Sequence, residues 1–262
     1  MTNPILFDVR DRIATLTLNR PDRLNALVPE MKEGFEEALA KSAEPGVRAL
    51  FLRGEGRAFC AGGDIGWLAE ALSEGRWDEL EALLDLGASV AHGLATLPKP
   101  VVAVVHGPAA GAGMSLALDA DLRIATPEAL FSMAFVKIGL PPDWGGSVGL
   151  SRLVNPAIAA ELMLTGDTLD AARAHALGLV NQIAPADQLE AAVEALGRRL
   201  AAGPAGTFAR IKATLLHNQG LDAEGLRARL EAEGAQMKAA MRHPDAREGL
   251  TAFLEKRAPR FA

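Results

Sequence analysis

Cysteine is nearly absent from this 262-residue sequence, which contains only Cys60. A single cysteine excludes an internal disulfide and any metal site built from several cysteines. The histidine and acidic residues show no zinc-type clustering, so we predict no metal. Cys60 itself is expected to be a small buried hydrophobe, because the sequence offers no partner for a catalytic thiol.

Basic charge is also scarce, with 27 Lys and Arg against 33 Asp and Glu, a net charge of −6. This balance argues against a nucleic-acid partner, which requires a basic surface. The longest apolar run, around residues 101–105, is too short to cross a bilayer, and we expect no membrane association. Residues 1–8 have neither a basic segment nor an apolar core of signal length, so the expected location is the cytoplasm.

What the sequence does contain is typical of a soluble globular protein, with 49% hydrophobic and 23% charged residues. Its length allows one large domain, or a main domain with a small appendage. Strand, loop and helix patterns recur at similar spacing as far as residue 131. This recurrence favours an α/β fold of weakly repeated units over a single doubly wound sheet. Beyond residue 155 the pattern is mainly helical.

The predicted elements follow from apolar periodicity and from Pro and Gly punctuation. Strands are predicted at 5–9, 13–18, 47–52, 101–105, 121–125, 129–131 and 179–183. Helices are predicted from 29 to the Pro-Gly pair at 45–46, from 65, with Asp64 as cap, and at 76–97, 112–118, 148–153, 157–164, 169–176, 186–202, 204–216, 223–241 and 244–256.

The stretch PVVAVVHGPAAGAGM, residues 100–114, is a β-branched run followed by small residues. A helix starting at Ala112 would leave its first amides free to bind an anion or a developing oxyanion. A tight turn that needs glycine only for packing is the alternative. A second glycine-rich loop, GEGRAFCAGGDI at residues 54–65, also follows a predicted strand and precedes a predicted helix. Two such loops suggest two N–H donors converging on one oxygen, as a thioester carbonyl that becomes an enolate would require.

Five motifs in order carry a family resemblance: RPDRLNAL (20–27), RAFCAGGDI (57–65), HGPAAGAG (106–113), ALGLV (176–180) and FLEKRAP (253–259). Together they resemble the crotonase (enoyl-CoA hydratase/isomerase) superfamily over essentially the whole chain. The resemblance implies a crotonase-like spiral of strand-strand-helix repeats over residues 1–200. It implies a helical oligomerisation region over 201–262 that forms a homotrimer or a hexamer. It also implies acyl-CoA substrates, with no cofactor besides the coenzyme A that is part of the thioester.

The same resemblance assigns roles to individual residues. The two oxyanion-hole amides belong to Gly63 and Ala112. Backbone groups of Phe59 and Ala61 hold the adenine. Arg23 lies near the phosphates of coenzyme A, and so does Lys256 of a neighbouring subunit, although each is equally well explained as a solvated side chain.

Two positions argue against ordinary hydration. The glutamates that hold water in the hydratases of this family correspond to Ser115 and Phe135 in this sequence. Neither side chain can act as a carboxylate acid or base, and loss of one such group already costs about 10²–10⁴-fold in rate. Ser115 and Phe135 are instead expected to line the substrate pocket, although simple packing also explains Ser115.

One carboxylate remains in a suitable loop, Asp143 within PPDWGG (141–146). It matches the single acid–base residue of several enoyl-CoA isomerases and of the ring-epoxide isomerase of phenylacetate degradation. Phe135 and Trp144 would raise its pKa and keep water out. Trp144, like Phe135, is also expected to line the substrate pocket. The alternative is an exposed turn residue or a helix cap before Val148.

We therefore predict an enoyl-CoA isomerase that uses Asp143. A hydratase with altered catalytic groups is the first alternative. An aryl-CoA dehalogenase, in which this aspartate attacks the ring, ranks below it. A non-catalytic CoA-binding or RNA-associated protein would also explain the missing glutamates. His106 is expected to support its loop.

Overall fold

The computed structural model describes residues 3–261, and its strands form two sheets. The larger sheet contains β1 (Ile5–Arg10), β2 (Ile13–Leu18), β3 (Ala49–Gly54), β4 (Val101–Val105), β6 (Leu122–Ala125) and β9 (Gln182–Ile183), hydrogen-bonded in that order. The smaller sheet contains β5 (Pro108–Ala110), β7 (Leu130–Ser132) and β8 (Thr168–Asp170), also in that order. The predicted arrangement of repeated units is confirmed.

The larger sheet combines one antiparallel hairpin with parallel strands. The β1–β2 hairpin is antiparallel, and the remaining pairs of the larger sheet are parallel. Strand β4 is buried over all five residues, as its β-branched run predicts. The glycine loops leave the carboxyl ends of β3 and β4, neighbouring parallel strands, and are therefore brought to the same edge of the sheet.

The helices cover the sheets and form the C-terminal part. They are α1 (Lys32–Ala43), α2 (Ile65–Glu74), α3 (Trp77–Thr96), α4 (Ala112–Leu118), α5 (Gly146–Leu153), α6 (Pro156–Thr165), α7 (Ala171–Ala176), α8 (Leu189–Ala202), α9 (Ala205–Asn218), α10 (Ala223–Met241) and α11 (Pro244–Leu254). Short 3-10 turns occupy Pro21–Arg23, Pro29–Met31, Ala134–Ile138 and Ala186–Gln188. No helix within residues 3–261 has both the length and the apolarity to cross a membrane.

Several predicted boundaries were wrong. The helix expected from 169 begins only at Ala171, because Asp170 caps it by accepting from the Arg173 amide and Leu169 pairs with β7. The strand expected over 179–183 is reduced to β9. The last helix ends at Leu254, before Lys256 adopts a left-handed φ of 54°.

A buried arginine fixes the C-terminal end of α4. Arg123 is 2% exposed, and its guanidinium donates to the carbonyl oxygens of Ala120 and Leu179, both at 2.5 Å, and of Ala117 at 3.2 Å. Burial lowers the pKa of Arg123 to about 10, so the side chain remains a cation. A cation that satisfies the last carbonyls of a helix stabilises that end, and this contact holds α4 against the turn before β9.

The C-terminal helices pack on the body of the fold. Helix α8 lies on β3, α10 on α3 and α5, and α11 on α2 and the Ala134–Ile138 turn. The division after residue 200 falls in the last turn of α8, and an oligomerisation role for 201–262 stays a prediction. Helix α9 exposes Ile211 and Leu215.

Candidate active site

The two glycine loops lie side by side. Cys60 and Ala109 form a parallel bridge, in which the Cys60 amide donates to Pro108 O at 3.1 Å and the Ala110 amide donates to Cys60 O at 2.9 Å. Gly62 has a φ of +92°, and a Cβ there would lie 2.8 Å from Ala110 O. A methyl group on Gly113 would overlap the carbonyl oxygen of Cys60. Glycine is therefore required for the close approach of the two backbones.

This approach brings the two predicted donor amides into one region. The Cβ position of Gly62 is 3.4 Å from the Ala112 nitrogen, and Gly63 follows directly. Within residues 3–261, neither the Gly63 amide nor the Ala112 amide, the first of α4, donates to a backbone or side-chain acceptor. Two free N–H groups on adjoining loops can hydrogen-bond an oxygen of a ligand.

The RPDRLNAL segment, residues 20–27, hydrogen-bonds to the first glycine loop, residues 54–65, and holds it in place. Asn25 is fully buried with a φ of 58°, and its amide nitrogen donates to Glu55 O and Ala58 O, both at 2.8 Å. The Leu27 amide donates to Gly62 O at 2.7 Å. This role for Asn25 was not predicted from the sequence, although an asparagine in the left-handed region is typical of a residue that fixes a turn.

Arg20 adds an ion pair to the same support. Its guanidinium contacts the Asp64 carboxylate at 3.0 Å, and Asp64 also accepts from the Trp67 amide at the start of α2. The predicted cap is therefore confirmed. Cys60 is fully buried, and burial raises the pKa of its thiol to about 12. His106 lies with its Nε2 2.8 Å from Gly56 O, in the supporting contact that the sequence indicated.

Asp143 is a buried carboxyl and not an exposed turn residue. It is 9% exposed, and its Oδ1 has no hydrogen-bond partner within residues 3–261. Its side chain does not cap α5, whose N-cap is Gly145. Burial raises the pKa of Asp143 well above its usual range, and the nearby Glu233 charge raises it further. A carboxyl with a raised pKa is suited to take up and release a proton in a reaction.

The loop that carries Asp143 lies against α4. Gly145 contacts the carboxyl of Asp119, and Gly146 lies so close to the Ser115 hydroxyl that a Cβ there would overlap it. Ser115 is itself fully buried and lies one turn after Ala112. Asp143 is therefore placed close to the helix that begins with the free Ala112 amide.

The two predicted pocket aromatics lie in different surroundings. Phe135 is 6% exposed, with its ring 3.8 Å from the Cβ position of Gly111, beside the predicted oxyanion amide. Trp144 packs its indole against Gly87 of α3 and stands edge-on to Phe35 of α1, with ring centroids 5.8 Å apart. These Trp144 contacts are core contacts, and its role in lining the pocket stays a prediction.

The residues predicted to bind coenzyme A also lie in different surroundings. Phe59 is fully buried, and its carbonyl oxygen already accepts from Asn25 at 3.3 Å. The Ala61 amide donates to Leu24 O at 3.0 Å, and binding of adenine by Ala61 stays a prediction. Arg23 and Lys256 are exposed.

Sequence reasoning missed Glu233 of α10, which is 9% exposed and hydrogen-bonds the Asp143 loop. A signal for it was present. Leu226, Leu230, Met237 and Met241 are the other buried side chains of α10, and Glu233 falls on the same face at helical spacing. A carboxylate within an apolar face must find partners when it is buried.

The fold and this arrangement of loops indicate one class of enzyme, and comparison with known proteins identifies that class. The family model described as "Enoyl-CoA hydratase/isomerase" matches residues 8–262. This chain belongs to that family, within the crotonase superfamily, whose enzymes act on acyl-CoA substrates.

Individual relatives bear different activity names. The chain is 39% identical over 265 residues to 1,2-epoxyphenylacetyl-CoA isomerase of Escherichia coli, covering 98% of this chain and 97% of that protein. It is 34% identical over 259 residues to crotonyl-CoA hydratase of Syntrophomonas wolfei, with 98% and 97% covered. The crystal structure of an enoyl-CoA hydratase from Mycobacterium avium subsp. paratuberculosis superposes with a TM-score of 0.87 at 35% identity, covering all of both chains.

Proposed function

We propose that this chain is an acyl-CoA isomerase that shifts a carbon–carbon double bond, with Asp143 as its single acid–base group. The buried Asp143 carboxyl, whose Oδ1 has no partner within residues 3–261, carries the proposal. The free amides of Gly63 and Ala112 support it, since they can bind the thioester oxygen.

The reaction requires one proton to move. The Asp143 carboxylate removes a proton from C2 of a 3-enoyl thioester, whose carbonyl acidifies that position. The electron pair moves to the thioester oxygen, and the Gly63 and Ala112 amides stabilise the resulting dienolate. Asp143 then returns the proton at C4, which leaves the double bond between C2 and C3. The mass of the substrate does not change.

Hydration is the second candidate, since one relative is named crotonyl-CoA hydratase. The side chains at 115 and 135 are a hydroxyl and a phenyl ring, so this reaction would need another acid–base group beside Asp143. Asp119 is one other buried carboxyl that lies against the Asp143 loop. It contacts Gly145, and burial raises its pKa well above its usual range.

The test incubates wild type and Asp143→Asn with 3-enoyl-CoA and, separately, with 2-enoyl-CoA, and follows the products by mass. We expect conversion of the 3-enoyl thioester without a gain in mass, lowered by about 10²–10⁴-fold in the variant. Asp167→Asn, at an exposed position, is the matched control and should keep wild-type activity. Addition of water to the 2-enoyl thioester, unaffected by Asp143→Asn, would overturn the proposal.

The Escherichia coli relative makes an aromatic ring-epoxide thioester the second isomerase substrate to assay. Asp143 and the two amides supply the same acid–base and oxyanion functions for either compound. Comparison of kcat/KM for the two thioesters would determine whether the acyl group is aliphatic or aromatic.

A further inference from the structure

Glu233 is a buried carboxylate that the proposed proton transfer does not use. It lies in the middle of α10, is 9% exposed and belongs to the helix face that packs on α3 and α5. A charge at such a position is stabilised only when hydrogen bonds replace the lost hydration.

The partners of Glu233 all belong to the segment that follows Asp143. Its Oε1 accepts from the Gly145 amide at 2.7 Å, and its Oε2 accepts from the Ser147 amide at 2.8 Å. The Ser147 hydroxyl donates to Oε2 as well. Both oxygens are therefore used, and the carboxylate lies at the N-terminal end of α5, where a negative charge is favourable.

The segment held in this way has an unusual backbone. Trp144 has a φ of 52° and Gly145 a φ of 73°, and the Gly146 amide donates back to Asp143 O at 2.9 Å. A bulky residue in the left-handed region costs free energy and persists only when its surroundings fix it. The two Glu233 contacts flank Gly146 and fix the turn directly after Asp143.

We propose that Glu233 is a positioning residue for Asp143: from α10 it fixes the turn that orients the Asp143 carboxyl, and it keeps a negative charge beside that carboxyl. The inference rests on the proposed function, because it assumes that Asp143 moves the proton. Burial raises the pKa of Glu233, but its hydrogen bonds from Gly145 and Ser147 oppose that rise and favour the ionised form. The pKa of Asp143 is raised well above its usual range by burial and by the Glu233 charge, and its Oδ1 has no hydrogen-bond partner within residues 3–261.

The charged groups around the loop define the expected pH effect. Glu233 faces it from α10, Asp119 from α4 and Arg152 from α5, while α3 presents Gly87 and Ala91, which do not ionise. The cleft beside Glu233 is also lined by Arg229. The Glu233 charge raises the pKa of Asp143, so its removal should move the acid limb of kcat/KM to lower pH.

The experiment measures kcat, KM and the pH profile of 3-enoyl-CoA isomerisation for Glu233→Gln and Glu233→Asp. Glu231→Gln, on the exposed face of the same helix, is the matched control and should behave as wild type. We expect Glu233→Gln to lower kcat by about tenfold or more with little change in KM, and to shift the acid limb to lower pH. Glu233→Asp keeps the charge but shortens its reach, so kcat should fall while the limb stays in place.

Wild-type kcat and an unmoved acid limb in Glu233→Gln would overturn the inference. So would a loss of kcat that matches the loss of folded protein, measured by circular dichroism, with an unmoved limb. Should Glu233→Gln not fold, Glu233→Asp decides: a lowered kcat at constant KM supports the inference, and wild-type kinetics overturn it.

The Asp143→Asn variant, assayed in parallel, separates the two proposals. If it retains wild-type isomerase activity, the proposed function fails. If it is inactive while Glu233→Gln is indistinguishable from wild type, only the positioning role fails.

Discussion

Gly113 of α4 lies directly against the carbonyl oxygen of Cys60, with no room for a Cβ between them. We expect Gly113→Ala to lower the free energy of unfolding by about 2–3 kcal/mol, because backbone must move to admit the methyl group. The same movement separates the Gly63 and Ala112 amides, so activity should also fall. Gly234→Ala, at a helical position with open space around it, should be neutral or stabilising. Urea denaturation of both variants checks this, and equal stabilities would contradict it.

Removing the Arg123 side chain tests the anchor of α4. We expect Arg123→Met to lower the free energy of unfolding by about 2–3 kcal/mol, since the carbonyls of Ala117, Ala120 and Leu179 lose their buried donor. Arg198→Met removes an exposed arginine of α8 and should change stability by less than about 0.5 kcal/mol. Chemical denaturation distinguishes the two. A wild-type midpoint and slope for Arg123→Met would show that the anchor is dispensable.

The raised pKa of Asp143 predicts that this buried carboxyl lowers the stability of the fold at alkaline pH. A carboxyl whose pKa is higher in the folded state stabilises the fold below about pH 4, and this contribution is lost as the pH rises to the raised pKa. Asp143→Asn stays neutral, so it should be more stable than wild type at alkaline pH, with a difference that shrinks towards pH 4. Unfolding curves between pH 4 and pH 9 measure the difference. A variant less stable than wild type across that range would argue against a buried, unpaired carboxyl.

The proposal of a single buried acid–base group also predicts that deuterium is transferred from C2 to C4 of the substrate. We start from a 3-enoyl-CoA that carries deuterium only at the C2 position that the enzyme deprotonates. Under the proposed mechanism, part of this label should appear at C4, since the Asp143 carboxyl would both remove and return it. Mass spectrometry of the product in ordinary water measures the retained label. Complete loss of deuterium to solvent during the first turnover would contradict this mechanism.

Much of this fold could be predicted from local pattern. The helices Ala112–Leu118 and Ala223–Met241 occur where predicted, because glycine precedes the first and Asp222 caps the second. The strands Pro108–Ala110 and Thr168–Asp170 were missed. Each has three residues and pairs with a distant strand, so tertiary contacts decide its conformation and local propensity does not.

The candidate site, like the fold, could be predicted from the sequence only in part. The loop amides and Asp143 could be chosen from spacing and resemblance. The placement of Trp144 in the core depends on a left-handed backbone that no sequence pattern specified. Glu233 lies 90 positions after Asp143 in the sequence, and only the packing of α10 on α5 brings it to the loop.

The hydrogen bonds that the Gly145 and Ser147 amides donate to Glu233 connect the C-terminal helices to the loop that carries Asp143. A chain truncated after residue 200 would keep both glycine loops and Asp143, but the turn beside that carboxyl would lose its buried clamp. Residues 201–262 therefore pack on the body of the fold and also hold the turn beside Asp143. Exchanging these helices between relatives would also exchange the side chain that hydrogen-bonds the turn beside Asp143.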